Sequence, residues 1–286
     1  MSNDPGMALA ADFAGTTAGT RVGVWIRLAN PALRFAAASW FVVAVLGQLM
    51  MAVFVIGFYG RAAARGDFAA WNKVLATGYV PGDAIGNVVL SLHLALVTVV
   101  VVSGALQIVP AVRRIAPRFH HWNGRLYLAG ALVMSIGGLM MLWTRGTVGD
   151  LSQHVAISIN AGLIVAFSAM TLRHALARRF DLHRRMALRL FLAMGGVWFF
   201  RISLMLWIAV NQGPAGFDPK SFSGPALTAI AFGQYLVPLG VLELYFRAQR
   251  AGAGGRLAMA ALLAGLTLTT AAGIGAASMM MWLPRL

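Results

Sequence analysis

The stretch AAASWFVVAVLGQLMMAVFVIGFY, residues Ala36–Tyr59, runs for 24 residues without a charged side chain. A helix of about 20 apolar residues is long enough to cross the hydrocarbon core of a bilayer. Six further runs of this kind follow, at Ile85–Val109, Leu126–Trp143, His154–Leu172, Ala187–Val210, Ala226–Phe246 and Leu257–Leu283. Because the backbone finds no hydrogen-bond partners in lipid and no alternating strand pattern is present, these runs predict helices. The predicted fold is an all-α, polytopic membrane bundle of about seven transmembrane helices.

The overall composition agrees with lipid as the main solvent. Of the 286 residues, 59% are hydrophobic and only 11% are charged, and the mean hydropathy is +0.76. A soluble domain averages about 45–50% apolar and about 25% charged residues. These values exclude a cytosolic enzyme or a secreted module. The absence of cysteine excludes disulfides, thiolate metal sites and cysteine nucleophiles.

The basic residues predict the orientation. The net charge of +15 would suggest nucleic-acid binding in a soluble protein. Here 16 of the 23 Lys and Arg residues lie in the N-terminal segment and in the loops on its side of the predicted membrane. This positive-inside pattern predicts an inner-membrane protein with a cytoplasmic N-terminus, and it argues against nucleic acid as a partner. Residues 1–35 are predicted to be a cytoplasmic segment, partly disordered or interfacial, before one transmembrane domain at 36–286.

Six of the predicted spans each carry one polar side chain at a similar depth. Counted at 1.5 Å per residue, these side chains lie about 9–16 Å from the outer ends of their helices. They are Gln48, His93, Ser135, Asn160, Arg201 and Gln234. Polar groups in spans usually face the bundle interior, which makes this layer a candidate buried site. In the alternative interpretation, the Ser, Asn and Gln residues, and His93 as well, form only hydrogen bonds between helices.

Arg201 is the hardest of the six to explain by structure alone, because no acidic residue is predicted at its depth. The acidic residues nearest the outer side lie outside the spans, at Asp67, Asp83, Asp150 and Asp218. Three explanations follow. Arg201 snorkels to the surface, or a loop aspartate reaches inward to it, with Asp218 the strongest candidate, or it binds an anionic or carbonyl-bearing ligand.

A second cluster of His and Arg residues is predicted on the cytoplasmic side. It comprises His120, His121 and Arg125 between spans two and three, and His174, His183 and Arg184 between spans four and five. Both loops face the same side, so their imidazole and guanidinium groups could converge there. Alternatively, the basic residues attach the loops to anionic lipid.

An ordered pattern of residues extends from His93 to Arg201. It comprises His93, Gly104, Gln107 with Pro110, Arg113, His120-His121-Trp122-Asn123-Gly124-Arg125-Leu126-Tyr127, His183-Arg184-Arg185-Met186 and Arg201. This pattern resembles a family of bacterial multi-pass membrane proteins, domain of unknown function 2306. Two positions depart from it, since His121 replaces an Arg and Met186 replaces a Trp. The resemblance implies that His93, His120, His183 and Arg201 belong together, and it implies no activity.

The leading functional hypothesis is a membrane redox protein that binds b-type haem and transfers electrons, with a quinone as a candidate partner. Imidazoles ligate haem iron. His93 with His154 would serve an outer haem, and His120 with His174 or His183 an inner one. The outer pair requires His154 to lie deeper than its place at the start of its span suggests.

Two other hypotheses remain open. The buried layer would bind or transport a small anion, a quinone or a lipid head group. Alternatively, the cytoplasmic His and Arg residues would hold a partner complex, as in a scaffold or assembly factor. No His-Glu-x-x-His or Gly-x-Ser-x-Gly motif points to an ordinary hydrolase.

Overall fold

The structure, a computed structural model, describes residues 5–75, 77–146 and 149–286, with side chains from residue 27 onward. This part of the chain is helical and contains no β-strand. Its α-helices are α1 (Pro5–Phe54), α2 (Arg61–Ala64), α3 (Ala84–Ile108), α4 (Pro110–Ile115), α5 (Pro117–Met141), α6 (Leu151–Leu176), α7 (Phe180–Met194), α8 (Gly196–Asn211), α9 (Pro225–Ala248) and α10 (Ala253–Ala277). Residues 1–4 of the predicted cytoplasmic segment lie outside the described residues, and its disordered or interfacial character stays a prediction.

Three of the long helices end in π-helical turns, and the described residues also form two short 3₁₀ helices, one between α2 and α3 and one after the last π-helical turn. The π-helical turns are Val55–Gly60 after α1, Leu142–Gly146 after α5 and Ser278–Trp282 after α10. The 3₁₀ helices are Phe68–Lys73 and Leu283–Arg285. Short π-helical turns within longer helices occur often at functional sites.

Six helical stretches are long and apolar enough to cross a membrane. They are Arg27–Ala64, Ala84–Ile108, Pro117–Gly146, Leu151–Leu176, Pro225–Ala248 and Ala253–Arg285. Helices α7 and α8, bent by 48° at the break between them, make a seventh when taken as one span. The prediction of an all-α chain with about seven apolar helices is thus confirmed, while the predicted fifth span is broken.

Much of this apolar surface faces outward. In α3 only 17% of the most apolar window is buried, and the side chains of Ile85 and Val88 are 70% and 67% exposed. Soluble monomers rarely expose contiguous apolar patches of this extent. The surface is compatible with direct contact with a lipid bilayer.

Aspartates begin three of the helices. The carboxylate of Asp67 accepts a hydrogen bond from the Ala70 amide at 3.2 Å, at the start of the 3₁₀ helix. Asp83 caps α3 in the same way, accepting from the Gly86 amide at 2.9 Å. Asp150 caps α6 through the Gln153 amide at 3.0 Å. Each carboxylate satisfies a backbone donor that the first turn of a helix leaves free.

The chain forms two compact units. Among the described residues, the smaller comprises 5–43 and 242–269, and the larger comprises the described part of 44–241 together with 270–286. In the smaller unit Leu33, Met259 and Leu263 are buried. The larger unit contains every predicted site residue.

Within the larger unit, α3 and α5 are joined by a polar clamp. The side-chain amide of Asn123 donates to the Ser103 carbonyl at 2.9 Å, and the Ser103 hydroxyl donates to the Asn123 carbonyl at 3.3 Å. One residue further, the ring of Tyr127 packs on Gly104, where a Cβ atom would lie only 2.7 Å from the ring. This close packing requires glycine at position 104. Packing between α3 and α5 therefore explains why Gly104, Asn123 and Tyr127 occur in the pattern that resembles the family.

A hydrophobic cluster next to the clamp joins four helices. It comprises Val100, Tyr127, Ala131, Ile164, Leu190 and Ala193, from α3, α5, α6 and α7. Ala131 and Ala193 are fully buried, so the helix backbones approach closely here. The cluster holds these helices around the space that contains the candidate site.

Candidate functional site

The larger unit contains a cavity of about 420 Å³. Its walls come from the end of α1 and from α3, α5, α6, α7 and α8, with the π-helical turns after α1 and α5. Val74, Leu75 and Thr77 in the loop between α2 and α3 complete the lining. Small-molecule sites have volumes of about 300–1,000 Å³. The cavity is large enough for a ligand of modest size.

Five of the six polar residues predicted in one layer line this cavity. They are Gln48, His93, Ser135, Asn160 and Arg201. Gln234 is placed differently, because its side-chain amide donates to the Ala231 carbonyl of its own helix at 2.8 Å. Its other side-chain atom, Oε1, lies beside Gly196 at the start of α8.

Tyr59 is a sixth polar lining residue, and the sequence analysis did not single it out. It lies in the π-helical turn after α1 and is 2% exposed. Its hydroxyl lies within electrostatic range of the Arg201 guanidinium but does not reach hydrogen-bond geometry. His93 is also within electrostatic range of Arg201. The guanidinium thus interacts with both an imidazole and a phenol from residues that line the same cavity.

Arg201 has no carboxylate partner among the described residues. Asp67, Asp83 and Asp150 cap helices, and Asp83 also forms an ion pair with Arg145, from Nε to Oδ2 at 2.9 Å. The charge of Arg145, the other cationic lining residue, is therefore balanced, whereas that of Arg201 is not.

Asp218 does not reach inward to Arg201, so this explanation of the buried charge is wrong. Its carboxylate accepts hydrogen bonds from the Lys220 amide at 3.0 Å and from the Ser221 amide and hydroxyl at 3.2 and 2.8 Å. These hydrogen bonds hold the pKa of the exposed Asp218 carboxyl below its usual value, and the bond from the Lys220 amide has the largest effect. The loop satisfies this carboxylate locally.

Several polar atoms on the cavity wall are buried and have no hydrogen-bond partner among the described residues. They are the Tyr59 hydroxyl, His93 Nδ1, Ser135 Oγ and Asn160 Oδ1. Leaving a buried polar atom unpaired costs about 1–3 kcal/mol. Such atoms around one cavity, together with an unbalanced cation, are typical of a binding site for a polar group rather than of a packed core.

The break between α7 and α8 lies on the cavity wall. Met194 and Gly195 line the cavity at the break, and the Asn160 side-chain amide donates to the Ala193 carbonyl at 3.2 Å. A Cβ atom at position 196 would lie 2.6 Å from Asn160 Nδ2, so Gly196 allows this approach. Asn160 thus satisfies a carbonyl next to the bend. Broken helices are used at many transporter sites, where the start of the second half carries a partial positive charge.

The loop between α2 and α3, residues 65–83, covers one end of the cavity; this is the predicted outer end. We call it the covering loop, and it is described except for residue 76. Trp71 is 3% exposed and donates from its indole to the Tyr59 carbonyl at 3.1 Å. Arg145 donates to the Gly86 and Gly78 carbonyls and to Asn87 Oδ1 at 2.9, 3.4 and 2.9 Å.

The lining changes character along the helices. The polar side chains lie toward the covering loop, whereas the opposite end is lined by apolar and aromatic side chains. These residues are Val97, Val100, Val101, Tyr127, Ile164, Phe191 and Met194. The cavity therefore has one part in which polar groups lie among apolar side chains such as Leu90 and Leu142, and a deeper part that is apolar.

Of the five histidines proposed as haem ligands, only His93 lines the described cavity. The ring of His154 packs edge-on against Trp143, with 5.7 Å between centroids. Among the described residues, no three His, Cys, Asp or Glu side chains come together as a metal site. The structure thus does not place His154 opposite His93 in this space.

At the predicted inner end, His120 and His183 approach one another from the first turns of α5 and α7. His120 lies within electrostatic range of Arg113, His121 and His183. The His183 imidazole Nδ1 lies 3.0 Å from the Thr171 carbonyl, and Gln107 donates to the His120 carbonyl at 2.8 Å. These contacts between helices explain why Gln107, His120 and His183 occur in the pattern that resembles the family.

The other members of the cytoplasmic cluster are spread around this end. Arg125 stacks over the exposed ring of Trp122 at 4.7 Å, and Arg184 is exposed. His174 is half-buried, and its Nδ1 atom has no hydrogen-bond partner among the described residues. The four residues that the family resemblance links therefore form two pairs, His93 with Arg201 and His120 with His183.

No protein-family model, curated protein or solved structure matches this chain. The resemblance to domain of unknown function 2306 therefore stays a prediction.

Proposed function

We propose that the protein is a multi-pass protein of the bacterial inner membrane whose cavity binds a small molecule with an anionic or carbonyl-bearing head. Six to seven apolar helices support membrane insertion. The excess of Lys and Arg in the N-terminal segment and alternate loops supports a cytoplasmic N-terminus. On this topology the covering loop faces outward.

The observation that carries the binding proposal is the unbalanced charge of Arg201. An unpaired cation near the centre of a span is unfavourable, and a guanidinium pairs readily with carboxylate, phosphate or carbonyl oxygens. The Tyr59 and Ser135 hydroxyls are further donors among the residues that line the same cavity. A carboxylate, a phosphate and a quinone carbonyl share this acceptor chemistry.

Thermal unfolding of the purified protein tests the proposal with three small probes. Benzoate presents an anion, a tail-less benzoquinone presents carbonyls, and benzyl alcohol presents neither. A ligand that binds only the folded state adds about 2.7 kcal/mol of stability at 100 times its Kd. We expect benzoate, the benzoquinone or both to raise the melting temperature, and benzyl alcohol to have little effect.

Two variants identify the residue responsible. Arg201→Gln should abolish the shift, whereas Arg189→Gln, a control in α7 outside the cavity wall, should retain it. An equal shift from benzyl alcohol, or an undiminished shift in Arg201→Gln, would contradict the proposal.

Haem-dependent redox activity is the second candidate, because His93 and Arg201 face the same cavity. His93 would supply one axial ligand there and Arg201 would hold a propionate, while His120 and His183 would serve the inner end. A Soret band in protein purified from haem-replete cells, diminished in His93→Ala, is the expected result. A colourless preparation would exclude this candidate.

A further inference from the structure

We propose that the ligand is a single-chain amphiphile, with an anionic head at Arg201 and one alkyl chain of about ten carbons directed toward the predicted inner end. This inference rests on the proposed binding function and specifies the class of molecule bound.

The first argument is the division of the cavity by depth. Arg201, His93 and Tyr59 gather the polar groups at one end. Beyond them the walls offer hydrocarbon, aromatic and thioether surface. An apolar chain matches this part, whereas a second polar group would lose its hydrogen bonds there.

The second argument is the length of the apolar part, which we call the arm. On α3 it extends from His93 to Val101, and eight residues of helix span about 12 Å. With C–C bonds of about 1.5 Å at tetrahedral angles, an extended alkyl chain advances about 1.3 Å per carbon. About nine or ten carbons therefore fill the arm.

The third argument is that the arm is closed at its inner end. Directly beyond Val101, the reciprocal hydrogen bonds of Ser103 and Asn123 join α3 to α5, and Tyr127 packs on Gly104. A longer chain would have to open this clamp. Affinity should therefore rise with chain length and then stop rising, which an open groove would not produce.

The test measures the binding of straight-chain alkanoates to the full chain in lipid nanodiscs, with Kd referred to the free aqueous concentration. Each buried methylene contributes about 0.8 kcal/mol, or about 15-fold in Kd for every two carbons. We expect Kd to fall in such steps from hexanoate to decanoate and to change little from decanoate to hexadecanoate. Decanol, which lacks the anion, should bind more weakly than decanoate.

A matched pair of variants locates the chain. Val97 lines the arm four residues beyond His93, whereas Val99 lies outside the lining and is 39% exposed. Val97→Phe should shorten the arm to about 6 Å, so that Kd stops falling near hexanoate. Val99→Phe should leave the whole series unchanged, and the melting temperatures of both variants without ligand check that they are folded.

The outcomes separate the two proposals. A plateau near decanoate that moves in Val97→Phe alone supports the amphiphile. If benzoate and all alkanoates bind through Arg201 with no dependence on chain length, the amphiphile is overturned and the binding function stands. If no probe responds to Arg201→Gln, both proposals are overturned.

Discussion

Replacing Arg201 by leucine should stabilise the ligand-free protein, although such a change removes a charged residue from a candidate site. Arg201 lies ten residues before the end of α8 at Asn211, which is about 15 Å and close to the middle of a 30 Å hydrocarbon core. Insertion scales give about +2.5 to +3.5 kcal/mol for Arg and about −0.3 to −0.6 for Leu at this depth. The full difference is about 3–4 kcal/mol.

The expected gain is smaller than this limit, because Arg201 is half-buried and interacts with Tyr59. Partial solvation screens an exposed charge and reduces the energy it can contribute. We therefore expect Arg201→Leu to raise the free energy of unfolding by about 1–2 kcal/mol, with the loss of anion binding as its functional consequence.

Arg145→Leu is the matched control, since both arginines line the same cavity. Arg145 is ion-paired with Asp83, and its side chain is only 7% exposed. Breaking a buried pair costs about 3–5 kcal/mol, and the partial exposure of Asp83 reduces this to about 2–3 kcal/mol. The two substitutions should thus change stability in opposite directions.

The assay is unfolding by SDS in mixed micelles, followed by the fluorescence of the eight tryptophans. The shift of the midpoint at constant slope gives the change in free energy. If Arg201→Leu destabilised the protein as much as Arg145→Leu does, Arg201 would have an anionic partner within the chain. The reasoning from an unbalanced cation would then be refuted.

Three further predictions concern other parts of the larger unit. Gly104→Ala should destabilise the protein by about 1–3 kcal/mol because its Cβ would lie 2.7 Å from the Tyr127 ring, whereas Gly162→Ala, with open space around it, should be neutral or stabilising in the same unfolding assay. Asn160→Ala should cost about 1–3 kcal/mol by freeing the carbonyl at the break between α7 and α8, and an unchanged midpoint would contradict that role. Because hydrogen bonds to the ionised Asp218 lower its pKa, the stability of its loop should be complete above pH 4 and fall as the pH passes below the lowered pKa. Protection factors of the loop amides, which compare exchange with the intrinsic rate at the same pH, should fall on acidification, and unchanged protection would argue against this.

The positions of the spans could be predicted from the sequence because hydropathy over about 20 residues depends on composition alone. The depth of a residue in the membrane could also be predicted, by counting residues along its helix. His93 and Ser135 were predicted at a similar depth, and both line the cavity. Depth does not give the direction of a side chain around the helix axis. Gln234 lies at the same depth, yet its amide turns back to its own helix.

The roles of the outer aspartates were predictable from a signal that the sequence analysis did not use. Asp150 is followed three residues later by Gln153, a pattern typical of a helix start, and the structure shows this cap. Recognising it would have removed one candidate partner for Arg201. The part played by Tyr59 could not be predicted, because a tyrosine near the end of a span is usually an interfacial residue.

The break between α7 and α8 at Gly195 could not be predicted from the composition of the span either. Glycines are frequent in membrane helices, and most of them do not interrupt the helix. Here the interruption depends on Asn160, more than 30 residues away, which supplies the donor for the Ala193 carbonyl. A contact between two helices cannot be deduced from the sequence of one of them.

The covering loop has a consequence for the kinetics of exchange. The Arg145 side chain holds Asp83, Gly78 and Asn87 at the same time, so these contacts are released together or not at all. A molecule leaving past this loop would wait for one rare, concerted opening instead of many small fluctuations. Occupancy would then outlast the removal of free ligand, and the residence time would depend on the contacts of Arg145 as well as on Arg201.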